Sequence, residues 1–331
     1  MSLRGIRQAA GRRARTSVMK DSFEVLVMAT VSAGKTSLIN ALIGQELLHA
    51  ANEATTACVT RVEHRNERKS FAGACYRDSG TVLKRCRDAS PELVRSWNAD
   101  SRVQRITLKG RFESAPRTAS GLVVYDTPGP NNSQNGRHGE LARKALRSIP
   151  YDAMFYIMNA GQLGTHDDRA YLDLLRERVS DAPIYFLLNK VDLLDPEKGE
   201  DIAIHARNAH SYLVDAGFAD PIVIPTISDA ALYARKALNG YTLTRVQRLR
   251  LDRALIEFDA DKRDVVDAAI LPETIKKRMS SELDRLERSA APSSSNPRVA
   301  ERHALKHLVA RSGIRTAEVL IQYKRSLIRK K

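Results

Sequence analysis

The chain has 331 residues, 43% of them hydrophobic and 28% charged, which is the composition of a globular protein large enough to bury a core. Basic residues outnumber acidic ones by 54 to 39, and the net charge of +15 favours an anionic partner, whether nucleotide, nucleic acid or anionic lipid. No apolar run approaches the roughly 18 residues of a membrane-spanning helix. The three cysteines contain no C-x-x-C pair, and we interpret the eight histidines as surface or core residues without the H-x-x-x-H or H-E-x-x-H spacing of a metal site. We therefore predict a cytoplasmic protein with reduced thiols and no cysteine or histidine metal site.

Residues 1–21 are predicted to form a basic arm. The first twenty residues contain six basic side chains and no acid, and no apolar core follows them, so the pattern is not that of a secretory signal. A flexible basic arm is the preferred interpretation, and an organelle transit peptide is the alternative. The six basic residues are Arg4, Arg7, Arg12, Arg13, Arg15 and Lys20.

Predicted strands and helices alternate through the middle of the chain. The apolar run "FEVLVM" has strand length, and the segment "KTSLINALIG" after it has helical spacing, with Gly44 suited to a helix end. Within residues 65–101 we predict a single short helix, capped by Ser90 with Pro91 in its first turn. A further helix is predicted over Asp167–Val179 and another around 200–215. Further strands are predicted in "TACVTRVEH", "RVQRITLKG", "GLVVYD", "YDAMFYIMN", "PIYFLLN" and "PIVIPTIS".

This alternation predicts an α/β fold with a doubly wound, mostly parallel sheet. From residue 241 the strand signals stop, and residues 241–331 are predicted as a helical extension with a linker near 289–298. The last predicted helix, "TAEVLIQYKRSLI", has an apolar face that includes Val319 and Leu320. Packing of this face on the domain is the preferred interpretation, and contact with a membrane or a partner protein is the alternative.

The segment "VLVMATVSAGKTSLINALIG" is similar to the phosphate-loop pattern G-x-x-x-x-G-K-[ST], with Ala29 in place of the first glycine. In such a loop, backbone N–H groups at the helix start contact phosphate oxygens. Lys35 would reach the β- and γ-phosphates, and the Thr36 hydroxyl would bind Mg²⁺. Gly34 has no side chain to block close approach of the phosphate.

A second motif, "DTPG", follows the predicted strand "GLVVYD". Ligands of open α/β sheets bind at the carboxyl ends of strands, which is where Asp126 is predicted to lie. Asp126 would hold Mg²⁺ through water, and the Gly129 N–H would contact the γ-phosphate. A single D-x-x-G is also common as an acidic turn after a strand.

A third motif, "NKVD", follows the buried strand "PIYFLLN". A carboxylate at Asp192 can accept hydrogen bonds from N1–H and the exocyclic amine of guanine, whereas adenine offers no such donor pair. Asp192 would therefore select GTP over ATP, because the wrong base would leave a buried acid unpaired. Asn189 would hold the loop and contact the base, and the stem of Lys190 would cover the face of the base.

All three motifs end strands of one predicted sheet, in the order of a guanine-nucleotide-binding protein. We therefore predict a P-loop GTPase fold in residues 22–240, with GTP or GDP and Mg²⁺ as ligands. Ala29 is then a tolerated variation within a working site. The predicted nucleotide-binding residues are Ala33, Gly34, Lys35, Thr36, Ser37, Asp126, Gly129, Asn189, Lys190 and Asp192.

At this point the sequence resembles the bacterial dynamin-like GTPases. The stretches that carry the resemblance are "VMATVSAGKTSLINALIG", "ANEATTACVTRVE", "DTPGPNNS", "QLGTHDD" and "LLNKVDLLD", within residues 22–230. The resemblance implies that Thr56, of the pair Thr55-Thr56, contacts Mg²⁺ and the γ-phosphate as a switch threonine. It also implies that Ser228 lies in the last base-binding loop.

The resemblance extends to catalysis. Ras-type GTPases place a glutamine after D-x-x-G, where this chain has Pro130, and dynamin-like proteins also lack that glutamine. The family instead positions water with phosphate-loop residues that are completed when two GTPase domains meet. Ser32 would help to hold a charge-compensating cation or the bridging oxygen, so Ser32, Lys35 and Thr56 are the predicted catalytic residues. Val31 stands where dynamins have a glutamine and cannot make its polar contacts.

Two further family features bear on assembly. The loop with Asp167 and Asp168 resembles the element that reaches across the dimer, with helix capping as the alternative role of either acid. Dynamin-like proteins continue into a long helical stalk, and this sequence has no long heptad array. Assembly through a stalk and membrane remodelling are therefore not implied for it.

Three functional hypotheses follow. The first is a Mg²⁺-dependent GTPase that is slow alone and faster as a homodimer through the GTPase face. The second is a GTP-binding module with negligible hydrolysis that docks onto a longer dynamin-like protein. The third, a nucleic-acid partner, is the weakest, because aromatic residues make up only 5% of the chain and no DNA-reading motif is present. Peripheral membrane contact is compatible with the first two.

Overall fold

The computed structural model describes residues 22–30, 32–49, 58–116, 119–128, 144–178, 182–259, 265–289 and 297–329. The predicted basic arm and most of the predicted linker lie outside these residues. The strands are β1 (Phe23–Ala29), β2 (Val59–His64), β3 (Ala72–Tyr76), β4 (Val82–Cys86), β5 (Arg105–Gly110), β6 (Leu122–Asp126), β7 (Ala153–Asn159), β8 (Ile184–Asn189) and β9 (Ile222–Thr226). The helices are α1 (Lys35–Ile43), α2 (Pro91–Ala99), α3 (144–148), α4 (His166–Arg178), α5 (Ile202–Asp215), α6 (Ser228–Leu238), α7 (Arg245–Asp259), α8 (Glu273–Ser289), α9 (Pro297–Arg311) and α10 (Ile314–Ile328).

The strands form one mixed sheet in the order β4-β3-β5-β2-β6-β1-β7-β8-β9. The five strands from β6 to β9 run parallel to one another. β2 is antiparallel to β6 and parallel to β5, while β3 is antiparallel to both β4 and β5. The prediction of an α/β fold with a mostly parallel sheet is therefore confirmed.

The parallel strands are buried along their length. Every residue of β1 is buried, and in β7 every residue except the last is buried. Alternate side chains of a strand point to opposite faces, so complete burial means that both faces of the sheet are covered. Because β6, β1, β8 and β9 run in the same direction, their carboxyl ends lie at one edge of the sheet.

A hairpin of β3 and β4 lies where the sequence predicted only a short helix. The helix α2 is present, with Ser90 accepting a hydrogen bond from the Leu93 N–H at 3.2 Å. The two strands were missed because each has only five residues and most of their side chains are partly exposed, which removes the apolar alternation. The turn "RDSGT" was the available signal, since Gly80 has a φ of +83° and the Arg77 N–H reaches Thr81 O at 3.0 Å.

The last helix packs on the domain, as the preferred interpretation predicted. Val319, Leu320 and Ile321 of α10 are at most 3% exposed. Arg325 of the same helix donates a hydrogen bond to the carbonyl of Ser120, just before β6. Within the described part of the chain, no helix has the length and apolarity to cross a membrane. The division near residue 240 stays a prediction.

The sequence contains an H-x-x-x-H pair, His303 and His307, so the interpretation that this spacing is absent was wrong. His303 and His307 are four residues apart in α9, so they lie on one face of the helix. Their Nε2 atoms are 3.1 Å apart. The described residues contain no group of three or more histidine, cysteine or acidic side chains that could hold a metal ion. The pair corrects the interpretation of the histidines and adds no metal site to the prediction.

Acid is expected to destabilise this fold through His64. His64 is fully buried, and its Nδ1 accepts a hydrogen bond from the Phe112 N–H at 2.9 Å, so Nδ1 carries no proton. Burial lowers the pKa of His64, and nearby Arg111 and Arg325 lower this pKa further. Below pH ~6.5 the unfolded chain therefore binds a proton that the folded chain does not, and the free energy of unfolding falls as pH drops.

The measurement is chemical denaturation at several pH values between neutral and pH ~5. The variant His64→Asn keeps an oxygen acceptor for the Phe112 N–H but has no proton to gain. Its free energy of unfolding should depend less on pH than that of the parent chain. Equal slopes for the two proteins would contradict the role given to His64. Burial also lowers the pKa of His307, so His307 should account for part of the pH dependence of the unfolding free energy that remains in His64→Asn.

Candidate nucleotide-binding site

The predicted phosphate loop joins β1 to α1. Ala29 is the last residue of β1 and is 1% exposed, so this position is an extended strand residue that does not need glycine. Gly34 needs to be glycine because its φ is +94°, and a Cβ there would collide with the side-chain amide nitrogen of Asn189. Ser32 also has a positive φ, of 58°. Val31 lies outside the described residues.

The structure brings Lys35 and Asp126 together. Lys35 begins α1, Asp126 ends β6, and their side chains form an ion pair with 10% and 5% of their surface exposed. Thr127 supports this corner, since its hydroxyl donates a hydrogen bond to Val27 O at 2.9 Å. The two charged groups predicted to contact phosphate and Mg²⁺ therefore lie at one point beside the loop.

The residues of this corner fit a phosphate with Mg²⁺. Thr36 and Ser37 lie in the first turn of α1, directly after Lys35, and both are half-buried. The first turn of α1 contains no acidic residue, so its N–H groups remain available to an anion. A hydroxyl and a carboxylate, from Thr36 and Asp126, are the oxygen ligands that Mg²⁺ prefers. The predicted contacts from Thr56 and Gly129 lie outside the described residues.

Asn189 connects the phosphate loop to the end of β9. Its side-chain nitrogen donates to Ala33 O at 2.7 Å. Its side-chain oxygen accepts hydrogen bonds from the Ser228 N–H at 3.1 Å, the Ser228 hydroxyl at 2.8 Å and the Thr226 hydroxyl at 3.1 Å. Asn189 is 2% exposed. Asn189 therefore connects the ends of β1, β8 and β9 through buried hydrogen bonds, and its contact with a base stays a prediction.

Thr226 is a site residue that the sequence did not identify. It is fully buried, and it stands two positions before Ser228 in "PTIS". A threonine at the end of a predicted strand was the only available signal, and it is a weak one. The hydrogen bond to Asn189 depends on the pairing of β8 with β9, where Asn189 lies opposite Thr226.

Lys190 and Asp192 lie at the rim of the same site. Lys190 has a φ of 65°, and its Cε lies 4.0 Å from the position of a Cβ on Gly34. Asp192 follows in a 3₁₀ turn. Burial raises the pKa of Asp192, and the charges of Asp229 and Glu257 add to this effect. Among the residues that the structure describes, no side chain donates a hydrogen bond to its carboxylate, which leaves both oxygens able to accept from a base.

Asp168 lies inside its own domain. It is 2% exposed and accepts a hydrogen bond from the hydroxyl of Tyr156 at 2.7 Å. The helix cap is Thr165, whose side-chain oxygen accepts from the Asp168 N–H at 3.2 Å. Burial raises the pKa of Asp168. Asp168 therefore joins α4 to β7 through its hydrogen bond with Tyr156. The side chain of Asp167 lies outside the described residues.

Comparisons with known proteins match this part of the chain. The model of the dynamin family matches residues 25–191, about half of the chain. Dynamin-like protein A of Bacillus subtilis is 28% identical over 178 residues, covering 53% of this chain and 13% of that protein. GTPase Era of Leuconostoc citreum is 32% identical over 112 residues, covering 33% of this chain and 35% of that protein. The chain therefore spans less than two thirds of either relative.

Two kinds of solved structure are similar to this chain at low sequence identity. An oligomerised bacterial dynamin pair, described as a mechanism for long-range sensing and tethering of membranes, shares 19% identity at a TM-score of 0.46. That match covers 81% of this chain and 42% of the other. Era in complex with MgGDPNP and nucleotides of 16S ribosomal RNA shares 14% identity at a TM-score of 0.35, covering 62% of this chain and 51% of the other.

Proposed function

This chain belongs to the dynamin family, and we propose that it binds GTP with Mg²⁺ and hydrolyses GTP to GDP and phosphate. The observation that carries the proposal is the arrangement of Asn189, which is bonded to both the phosphate loop and the segment at Ser228. The Lys35–Asp126 pair lies beside the same loop. The residues proposed to contact phosphate and base thus lie at one edge of the sheet, which supports the proposal.

We assign the phosphate contacts to the loop and the start of α1, and the base contacts to the ends of β8 and β9. Mg²⁺ would be held by Thr36 and Asp126, together with Thr56 from the switch segment. The ion would neutralise charge on the β- and γ-phosphates. Ser32, Lys35 and Thr56 are the proposed catalytic residues. The proposed nucleotide contacts are Ala33, Gly34, Lys35, Thr36, Ser37, Asp126, Gly129, Asn189, Lys190, Asp192 and Ser228. Residues 22–240 form the proposed GTPase domain.

Hydrolysis is proposed to be stimulated when two copies meet through the GTPase face. Switch GTPases without a supplied catalytic group turn over at roughly 10⁻⁴ to 10⁻³ per second, and a group supplied in trans adds about 10³-fold or more. Pro130 follows the D-x-x-G motif, so a glutamine of the Ras type is absent at that position of the sequence. Val31 favours a second candidate, a GTP-binding module that docks onto a longer dynamin-like protein. A cytoplasmic location with peripheral membrane contact is compatible with both candidates.

GTP turnover per molecule is therefore expected to rise with protein concentration. The measurement is phosphate release with Mg²⁺ and saturating GTP, across a wide range of protein concentration, with ATP as the control nucleotide. A rate that rises with concentration for GTP alone supports the dimer-stimulated enzyme. Tight GTP binding with a flat and negligible rate would instead support the binding module. Equal binding of ATP and GTP would contradict the guanine site itself.

A further inference from the structure

The turn between α9 and α10 contacts the strand end that carries the base-binding segment. This turn consists of Ser312 and Gly313. The carbonyl of Ser312 accepts a hydrogen bond from the Ile227 N–H at 2.9 Å. Ser312 is fully buried and Ile227 is 1% exposed, so water does not compete for this bond. Ile227 is the residue directly before Ser228.

Gly313 approaches β9 too closely to allow a side chain. Its φ is +78°, and a Cβ there would collide with the carbonyl oxygen of Pro225. The same Cβ would lie 3.0 Å from Cγ2 of Thr226, a separation that real Cβ contacts rarely show. The absence of a side chain at Gly313 therefore sets how far the turn can approach the end of β9.

The contact continues without interruption to the phosphate loop. The Thr226 side chain that faces Gly313 through its methyl group donates its hydroxyl to the side-chain oxygen of Asn189. Asn189 in turn bonds to Ser228 and to the carbonyl of Ala33. A displacement at Gly313 thus acts on Thr226 first and then on the residue that holds the base segment.

A buried ion pair makes a second connection between these helices and the site. Arg235 of α6 pairs with Glu318 of α10 at 2.8 Å, with 6% and 11% of their side chains exposed. Arg235 also donates to the carbonyl of Ala41 in α1, the helix that begins at the phosphate loop. Glu318 is bonded in addition to Arg315, which pairs with Glu282 of α8. Arg235 therefore connects α6 and α1 to α10 through Glu318, and Arg315 extends this network to Glu282 of α8.

We propose that the Ser312–Gly313 turn is a positioning element for guanine recognition, holding the segment Pro225–Ser228 against Asn189. The proposal rests on the proposed function, since it assigns a support to the same nucleotide site. Its consequence is that α9 and α10 set the lifetime of the bound nucleotide without contacting the nucleotide. Loosening the turn should weaken contacts to the base more than contacts to the phosphates, because the turn contacts the end of β9 directly and reaches the phosphate loop through Thr226 and Asn189.

The test compares Gly313→Ala with Gly240→Ala. Both glycines have a φ of +78°, but Gly240 has no atom within 4 Å of an added Cβ, so the control carries the same backbone strain without the collision. We expect Gly313→Ala to raise the dissociation rate of GDP by roughly tenfold. The added methyl group overpacks the contact between the turn and β9, and disturbing a contact that supports the bound state mainly speeds dissociation. Affinity for tripolyphosphate with Mg²⁺, which has no base, should stay at the parent value. Gly240→Ala should match the parent chain in both measurements.

The milder variant Glu318→Gln covers the case in which Gly313→Ala fails to fold. It keeps the shape of the side chain and weakens the ion pair with Arg235, so GDP dissociation should rise in the same direction by a smaller factor. Folded variants that release GDP at the parent rate would overturn the proposal. So would an equal loss of GDP and tripolyphosphate affinity, because a general loosening of the domain would explain it. A parent chain that binds no GDP would contradict the proposed function instead.

Discussion

Replacing Lys35 with alanine is expected to weaken binding of GTP and GDP severely. The ammonium group of Lys35 lies beside the phosphate loop and is paired with Asp126 in a largely buried corner. Truncating one partner of a buried charged contact costs about 2–5 kcal/mol, which corresponds to a loss of affinity of roughly 30-fold to several thousandfold. The measurement is titration calorimetry with GDP and Mg²⁺. Tight binding by Lys35→Ala would contradict the assignment of the phosphate site.

The same substitution is also expected to lower stability. Without Lys35, the buried carboxylate of Asp126 has lost its ion-pair partner, and breaking a buried pair in this way costs about 3–5 kcal/mol. The double variant Lys35→Ala with Asp126→Asn removes both charges, so its free energy of unfolding should lie closer to that of the parent chain while nucleotide binding stays weak. Lys198→Ala is the control, because Lys198 is an exposed lysine paired with Asp195. It should bind GDP as the parent does.

Replacing Asp192 with asparagine is expected to exchange guanine preference for xanthine preference. Asp192 can accept from N1–H and the exocyclic amine of guanine, and a hydrogen bond to a charged group contributes about 1.5–3 kcal/mol. Asparagine has one acceptor and one donor, so the guanine amine loses its partner, while the C2 carbonyl of xanthine gains one. We expect GTP affinity to fall roughly 100-fold and XTP affinity to rise. The measurement is competition of the two nucleotides for the same site.

The control for this exchange is Asp195→Asn. Asp195 lies three residues further along the chain, pairs with Lys198 and accepts from the Glu197 N–H, so it should not affect the base. Folding should not obscure the result at Asp192, since burial, Asp229 and Glu257 already disfavour its charged form. The neutral asparagine removes that cost, and Asp192→Asn should unfold no earlier than the parent chain. Unchanged preference for GTP in a folded Asp192→Asn variant would refute the base assignment.

The local sequence determined the main parts of the site. An apolar run followed by "SAGKTS" placed Lys35 at the start of a helix, and "VVYD" and "FLLN" placed Asp126 and Asn189 at strand ends. Buried parallel strands are continuous apolar runs, and such runs can be recognised without knowledge of their neighbours. The carboxyl ends of parallel strands share one edge, so the motifs could be predicted to meet before any contact was known.

The β3–β4 hairpin was not recognisable in the same way. Lys84 and Arg85 are exposed, and short strands whose side chains are partly exposed lack the alternation that identifies them. β3 joins the sheet by pairing with β5, which is antiparallel to it and distant in sequence, and β4 pairs with β3. Burial of Asp168 against Tyr156 was equally invisible, because an acid at the start of a helix has the same local sequence whether it faces solvent or a neighbouring strand.

The sequence by itself determined the strand-end motifs, the sheet-forming segments other than β3 and β4, and the helical character of residues beyond 241. Only the tertiary structure decided which of those residues hold one another. The bonds of Asn189 to Ala33 and Ser228 join residues from three separate strand ends. The contact of Gly313 with Pro225 joins a turn to a strand far from it along the chain. Such contacts depend on the relative positions of packed elements, and those positions follow from burial of the whole core and leave no periodic pattern in the local sequence.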